Sequence, residues 1–450
     1  MDFNGFKNAV IARCQALGIE GYELYYQTGE STSVGVFQQE VDRFTSAVEG
    51  GVCFRCIVDG KMGYASTEAM SQEEAVRLVD TAVDGAKMLE TADPVFLGAG
   101  GQVYEDLDRQ GYDLPTTEAL IGAAMDVQKK LYAADPKVID GTSTQAIRER
   151  MQIQICNSKG LDLSYVNEIG GLVAVAVVSD GTQMANDAAI RLGQLDRIDQ
   201  DALAQKAVEG ASRKLGGEPA PTGKYPVVFS PEAMADLLQT YQSVFSARAA
   251  QKGLSKLASA EGETIGAGCV TIVDDPFHPE NPMPIPFDAE GSPTRRKNVV
   301  EQGVLKTLLY DMETANKAGK VTTGNAAKGS YKSAVGIRPF TMYLAGGEQT
   351  PEQLLEAVGE GVYIDDLAGL HAGANTVSGD FSLQSAGFLI RGGKKTDRVK
   401  GFTVAGNFYD LLKDIAAVAN DSHLPMALGM TAFGAPTTWV DGLSVAGKEA

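Results

Sequence analysis

The chain has 450 residues, of which 44% are apolar and 22% charged, and 39 basic against 58 acidic side chains leave a net charge of −19. A single core stops growing near ~250–300 residues, so two domains are expected. The acidity, with no basic run longer than Arg295-Arg296-Lys297, argues against nucleic acid as a partner, and no stretch approaches the ~18 apolar residues of a membrane span.

The 51 glycines against 17 prolines predict many tight turns between strands. Residues 2–17 carry a helical stripe, Phe3, Phe6, Val10, Cys14 and Leu17, with Gly18 as a stop. β-like segments follow at 22–27, 33–38, 43–47, 51–58 and 61–66. A second helix starts at Gln72, with Ser71 and Glu74 in capping-box spacing. A third covers 117–132, two long strands are expected at 148–157 and 161–179, and a fourth helix at 201–215 ends on Gly216-Gly217. The Pro- and Gly-rich segment 218–223 reads as a linker. It divides the chain into an N-terminal domain, 1–217, and a C-terminal domain, 224–450.

The second half opens with a strand at 225–229. Ser230-Pro231-Glu232 then starts a helix, as N-cap, first-turn proline and first-turn acid, and the helix is predicted to run over 230–250. Further helices are expected at 305–318, 351–359 and 408–419, among glycine-rich β-like segments. Blocks of helices and strands without a βαβ rhythm indicate an α+β fold, not a doubly wound sheet.

The five cysteines are odd in number and scattered. With no basic-then-apolar leader in the opening residues, they suggest free thiols and a cytoplasmic location. Cys53 and Cys56 form one C-x-x-C inside a predicted strand, where a spacing of three sends the side chains to opposite faces. His278, His371 and His423 are far apart, and none has a second histidine or a cysteine at ligand spacing. No P-loop, G-x-S-x-G or G-x-G-x-x-G is present. What remains is a set of polar, glycine-punctuated loops: 287–296, 322–326, 369–382 and 405–407. Glycine lets a ligand backbone approach closely, and Asn can pair with peptide amides. Such loops make either a binding groove or ordinary turns, and both readings stand at this point.

The same loops carry a resemblance. Phe287-Asp288-x-Glu290-Gly291-x-Pro293-Thr294-Arg295-Arg296, followed by Val300-Glu301-x-Gly303-Val304-Leu305-Lys306, resembles the central signature of the TldD/PmbA (TldE) family. Gly324-Asn325-Ala326, the 369–375 loop, Ser378-Gly379-Asp380-Phe381-Ser382 and Ala405-Gly406-Asn407 continue it in order, as do Asn420-Asp421 and the tail 441–447. Gly63-Tyr64-Ala65-Ser66-Thr67 is similar to the family's N-terminal domain.

The resemblance implies an N-terminal α+β domain with an antiparallel sheet and a β-rich, barrel-like C-terminal domain with a few helices. It also implies a cytoplasmic TldD–TldE heterodimer that acts as a zinc-dependent peptidase on unfolded peptides; an older name for the family is modulator of DNA gyrase. The TldD branch bears an H-E-x-x-x-H helix and a C-terminal cysteine ligand. Here the corresponding helix, 230–250, has no histidine, and 421–436 has no cysteine.

The chain therefore resembles the PmbA (TldE) branch. No catalytic or metal-binding residue is expected in it, and zinc is expected in a TldD-like partner. Asp288, Glu290, Arg295, Asn325, His371, Asp380 and Asn407 are predicted to border a peptide groove. The alternative is a non-proteolytic peptide-binding or assembly protein acting as a homodimer; direct action on gyrase is disfavoured by the charge.

Overall fold

The computed structural model describes residues 1–90, 94–107, 114–424 and 431–448. Helix α1 (Phe3–Ala16) begins where Asp2 accepts the Gly5 N–H, and buries Phe3, Phe6, Val10 and Cys14. A long hairpin follows, β1 (Gly21–Phe37) and β2 (Glu40–Val58). Gln38 and Gln39 turn it with φ of 49° and 62°, the left-handed pair that suits a two-residue hairpin. The separately expected segments 22–27 and 33–38 are thus one strand. Asp59-Gly60 turns into β3 (Lys61–Thr67), and α2 (Gln72–Met88) is capped by Ser71. The remaining elements of this half are α3 (Thr117–Ala134), β4 (Ser143–Asn157), β5 (Asp162–Ser179), β6 (Met184–Gly193) and α4 (Gln200–Arg213). The strand β6 was not expected.

The six strands form one antiparallel sheet in the order β3-β2-β1-β4-β5-β6. Four of them run 15 to 19 residues, long enough to carry two helix pairs end to end on one face. One pair, α1 and α2, packs over Leu24, Phe54 and Cys56. The other, α3 and α4, packs over Val34, Ala146, Leu172 and Ala174. On the opposite face, Tyr25, Cys53, Met151 and Ile153 meet Phe287 and Tyr331 of the second half. Cys53 and Cys56 do lie on opposite faces, and both are buried.

The segment 218–223 is pinned to the second half by bridges from Glu218 to Val399 and from Pro221 to Lys448. Strand β7 (Gly223–Phe229) then joins Gly361–Ala368, Asp380–Arg391, Lys394–Asn407 and Thr438–Ala446 in a ring. Pairing of Thr403–Ala405 with Ser444–Ala446 closes it into a five-stranded barrel, with Ile415–Val418 added outside. Closure removes the unpaired edges of those strands. A second five-stranded sheet contains Ile272–Asp274, Lys297–Glu301 and Thr341–Leu344. Helix α5 (Pro231–Tyr241) touches both the barrel and that sheet, and its buried Leu237, Leu238 and Tyr241 join one large core.

Three expected helices are shorter than predicted. The 230–250 helix ends at Tyr241, passes through a 3-10 turn, and restarts at Ala247 because Ser246 is extended and caps the new start. Residues 305–311 are not helical: the Leu305 and Leu309 N–H groups bond to Glu263 and Phe245, and the helix begins only at Met312, after the Asp311 cap. The 408–419 helix stops at Asp414, where Ile415–Val418 pairs with the barrel instead.

Candidate functional site

The seven predicted site residues fall into two groups. In the first, Phe287 anchors the 287–296 loop edge-on to Tyr104 and Tyr165, at ring distances of 6.2 and 5.0 Å. Asp288, 2% exposed, accepts backbone N–H groups from Glu290 (2.9 Å), Ser292 (2.9 Å) and Ala326 (3.0 Å). Gly291 is required at its turn: φ is +77°, and a Cβ there would meet Leu161 at 2.3 Å. Glu290 accepts the Met312 N–H at 2.8 Å. Burial raises both the Asp288 and Glu290 carboxyls above the ordinary range, opposed at Asp288 by those three N–H groups. Asn325 is fully buried and donates to Asp274 (2.7 Å) and to the Arg338 carbonyl (3.0 Å). Arg295 is exposed and donates to the Thr322 carbonyl at 3.3 Å.

The second group lies at the barrel. Asn407 donates to Asp380 at 2.8 Å and to the Ser378 carbonyl at 2.9 Å, and caps the helix Phe408–Asp414 through its own oxygen. Asp380 lines a shallow open depression with Ala374 and Ser382. His371 sits beside it in a one-turn helix, exposed. Among the described residues no hydrogen bond or ion pair joins the two groups.

Sequence reasoning missed the cleft beside the first group. It lies between the sheet face of β1–β3 and the loops of the second half, and has a volume of about 190 Å³. The buried pair Arg55–Glu23, at 2.7 Å, forms its floor, with Asn157 donating to the other Glu23 oxygen at 3.2 Å. Lys328, Tyr64 and Glu290 line it as well. Lys328 and Tyr64 are 264 residues apart, and no local spacing could have paired them.

The segment 230–250, which begins with α5, is where the family resemblance sets a metal-binding helix; it contains no histidine, and Glu232 lies in its first turn. The fold brings His423 to this point, its Nε2 3.6 Å from Glu232. His423 beside it holds the Glu232 carboxyl down to about 2, and Glu232 in turn raises the imidazole. Lys206 on α4 shares the same carboxylate oxygen at 3.4 Å. Burial, with Asp366 and Glu232 nearby, pushes Asp236 up to about 6.

A zinc site needs three converging ligands. The segment 230–250 supplies no histidine, and the single imidazole nearby is engaged at both nitrogens, by Glu232 and by the Asp421 carbonyl. Among the described residues no group of three or more His, Cys, Asp or Glu converges to hold a metal, and this donor set does not fit zinc. Part of the segment 421–436, residues 425–430, lies outside the described residues.

Comparison with known proteins places these features. Models of the PmbA/TldA metallopeptidase domains match residues 22–86 (domain 1), 112–215 (central domain) and 222–447 (C-terminal domain). The chain is 25% identical over 411 residues to Metalloprotease PmbA of Escherichia coli O157:H7, covering 89% of this chain and 88% of that protein. A Thermotoga maritima structure, named for modulation of a DNA gyrase, superposes with a TM-score of 0.88 at 29% identity, covering 99% of this chain and 100% of the other. TldE from Thermococcus kodakarensis shares the fold, with a TM-score of 0.86 at 22% identity and 98% and 99% coverage.

Proposed function

The chain belongs to the PmbA/TldD metallopeptidase family, and from that premise we propose that it is the PmbA (TldE)-type member of a two-chain peptidase. In this reading it supplies part of a channel for unfolded peptides, and a TldD-like partner supplies the zinc and the hydrolytic chemistry. One observation carries the proposal: the helical segment 230–250, where the resemblance expects the metal-binding histidines, has none, and the nearby His423 is committed to Glu232. The half-exposed Glu232–His423–Lys206 cluster ties α4, α5 and His423 together.

The work is cytoplasmic in this reading; among the described residues no helix is long and apolar enough to cross a membrane. The glycine-punctuated loops around Asp288, Glu290, Arg295 and Asn325, and those around His371, Asp380 and Asn407, are the proposed groove borders. The expected partner is a related chain bearing H-E-x-x-x-H.

The test is a peptidase assay on unfolded casein with this chain alone, with such a partner alone, and with the two mixed, accompanied by metal analysis and sizing of the mixture. The proposal expects one zinc per complex, carried by the partner, a heterodimer, and activity in the mixture. Stoichiometric zinc and full activity in this chain alone would overturn it.

A further inference from the structure

Three cations line the cleft between the sheet and the 287–296 loop, Arg55, Arg248 and Lys328; Arg248 is paired with Asp311 and Glu313 although its Nε has no partner, and the other two are less well answered. Arg55 is 8% exposed, and its Nε donates to Glu23, yet its Nη2 is buried with no hydrogen-bond partner. Lys328 is 7% exposed and in no ion pair among the described residues. Its Nζ has long hydrogen bonds, 3.3 Å to the Tyr64 hydroxyl and 3.4 Å to the Tyr331 carbonyl, has the Cys53 thiol beside it, and stands over the Tyr25 and Tyr64 rings at 5.0 and 5.2 Å.

Native proteins seldom leave a buried guanidinium N–H and a buried ammonium so poorly answered. Both side chains line the same cleft, and the nearby acids are occupied. Glu23 is held by Arg55 and Asn157, Glu313 by Arg248 and Lys317, and Glu290 accepts the Met312 N–H. Burial also favours the neutral form of both Lys328 and Glu290, a balance that an anion beside Lys328 would shift toward its charged form. Part of the lining is apolar, Met62, Val95 and Phe96 among it. Met62 and Tyr64 are each more than a third exposed, so the cleft opens to solvent.

We propose that this cleft binds a molecule through its carboxylate, which accepts hydrogen bonds from Arg55 Nη2 and Lys328 Nζ while an apolar body lies against Met62, Val95 and Phe96. A carboxylate fits better than a phosphate, because Glu23 and Glu313 on the same walls would repel a dianion. The carboxylate can be the C-terminal group of a peptide or that of a free amino acid. The inference rests on this chain alone and does not require the two-chain peptidase.

Calorimetric titration of the full chain with N-acetyl-leucine, N-acetyl-leucinamide and free leucine tests it. At least one of the two acids is expected to bind one to one, with the amide at least about tenfold weaker, as loss of charge-assisted hydrogen bonds requires. Tighter binding of N-acetyl-leucine assigns the site to a peptide terminus, and tighter binding of leucine to a free amino acid. Lys328→Met is expected to weaken binding by a similar factor. Ala334→Trp, at the exposed rim of the cleft, is expected to abolish binding while leaving the melting temperature unchanged, so the test stands even if Lys328→Met fails to fold. Equal binding of acid and amide, no binding by any of the three, or unchanged affinity in a folded Ala334→Trp chain would overturn the proposal.

Discussion

Asp288 is predicted to be the keystone of its loop, and its removal should be costly in a calculable way. The carboxylate accepts three backbone N–H groups, from Glu290, Ser292 and Ala326, in a site only 2% exposed. Asp288→Ala leaves all three without an acceptor. Each buried orphan costs ~1–3 kcal/mol. Water entering the vacated space would answer part of the demand, so the expected loss is about 3–5 kcal/mol. Asp288→Asn keeps one acceptor oxygen but turns an amide N–H against the Ala326 N–H, for about 1–3 kcal/mol. Ser292→Ala is the internal control: its hydroxyl is equally buried and has no partner, so its loss should change stability by no more than about 0.5 kcal/mol. Urea unfolding followed by circular dichroism, at one pH and protein concentration, ranks the three. An Asp288→Ala chain within about 1 kcal/mol of the parent, or a Ser292→Ala chain as damaged as Asp288→Ala, would refute the reasoning.

Two further outcomes are expected. Asp236, with its carboxyl at about 6 against ~3.9 unfolded, binds its proton more tightly in the folded chain. Its contribution is therefore full below pH ~4 and is lost as pH rises from about 4 to about 6. Asp236→Asn should flatten that slope and raise stability at pH 8. The ceiling is roughly 3 kcal/mol, reduced to about 1 kcal/mol by partial exposure; an unchanged pH–stability curve would contradict the assignment. Glu23→Gln strips the buried Arg55 of its counter-charge and should cost about 3 kcal/mol in the same urea assay. A neutral result would show that Arg55 finds another partner.

The sequence shows an element best where one of its faces is buried and the other wet. The stripe of α1 and the alternation near both ends of β1 were readable for that reason. Between them, Gly29-Glu30-Ser31 is partly or fully exposed, so the apolar alternation fades although the strand continues. β6 was missed for a related cause: it is an edge strand of small and polar residues, Met184-Ala-Asn-Asp-Ala-Ala. Leu305, Leu308 and Leu309 misled in the other direction. Their spacing imitates a helix face, yet all three are buried from an extended backbone whose hydrogen bonds go to distant segments.

The candidate site was legible as loops, not as geometry. The motif around Asp288 and Asn325 could be seen, as could the one around Asp380 and Asn407, but their separation into two groups could not. The Lys328, Arg55 and Tyr64 walls of the cleft come from positions that carry no motif. His423 looked isolated because its companion, Glu232, lies far back in the chain, in the first turn of α5.

The placement of Phe287 has a consequence for how the molecule comes together. This ring belongs to the barrel-bearing half, yet both rings it meets edge-on, Tyr104 and Tyr165, come from the other half, as do most members of its apolar cluster. Until the sheet exists, the loop has nothing to fold onto, and the pairing must close a stretch of more than a hundred residues. The sheet is also synthesised first. Severed from one another, each half would display to water the apolar surface that the other now covers.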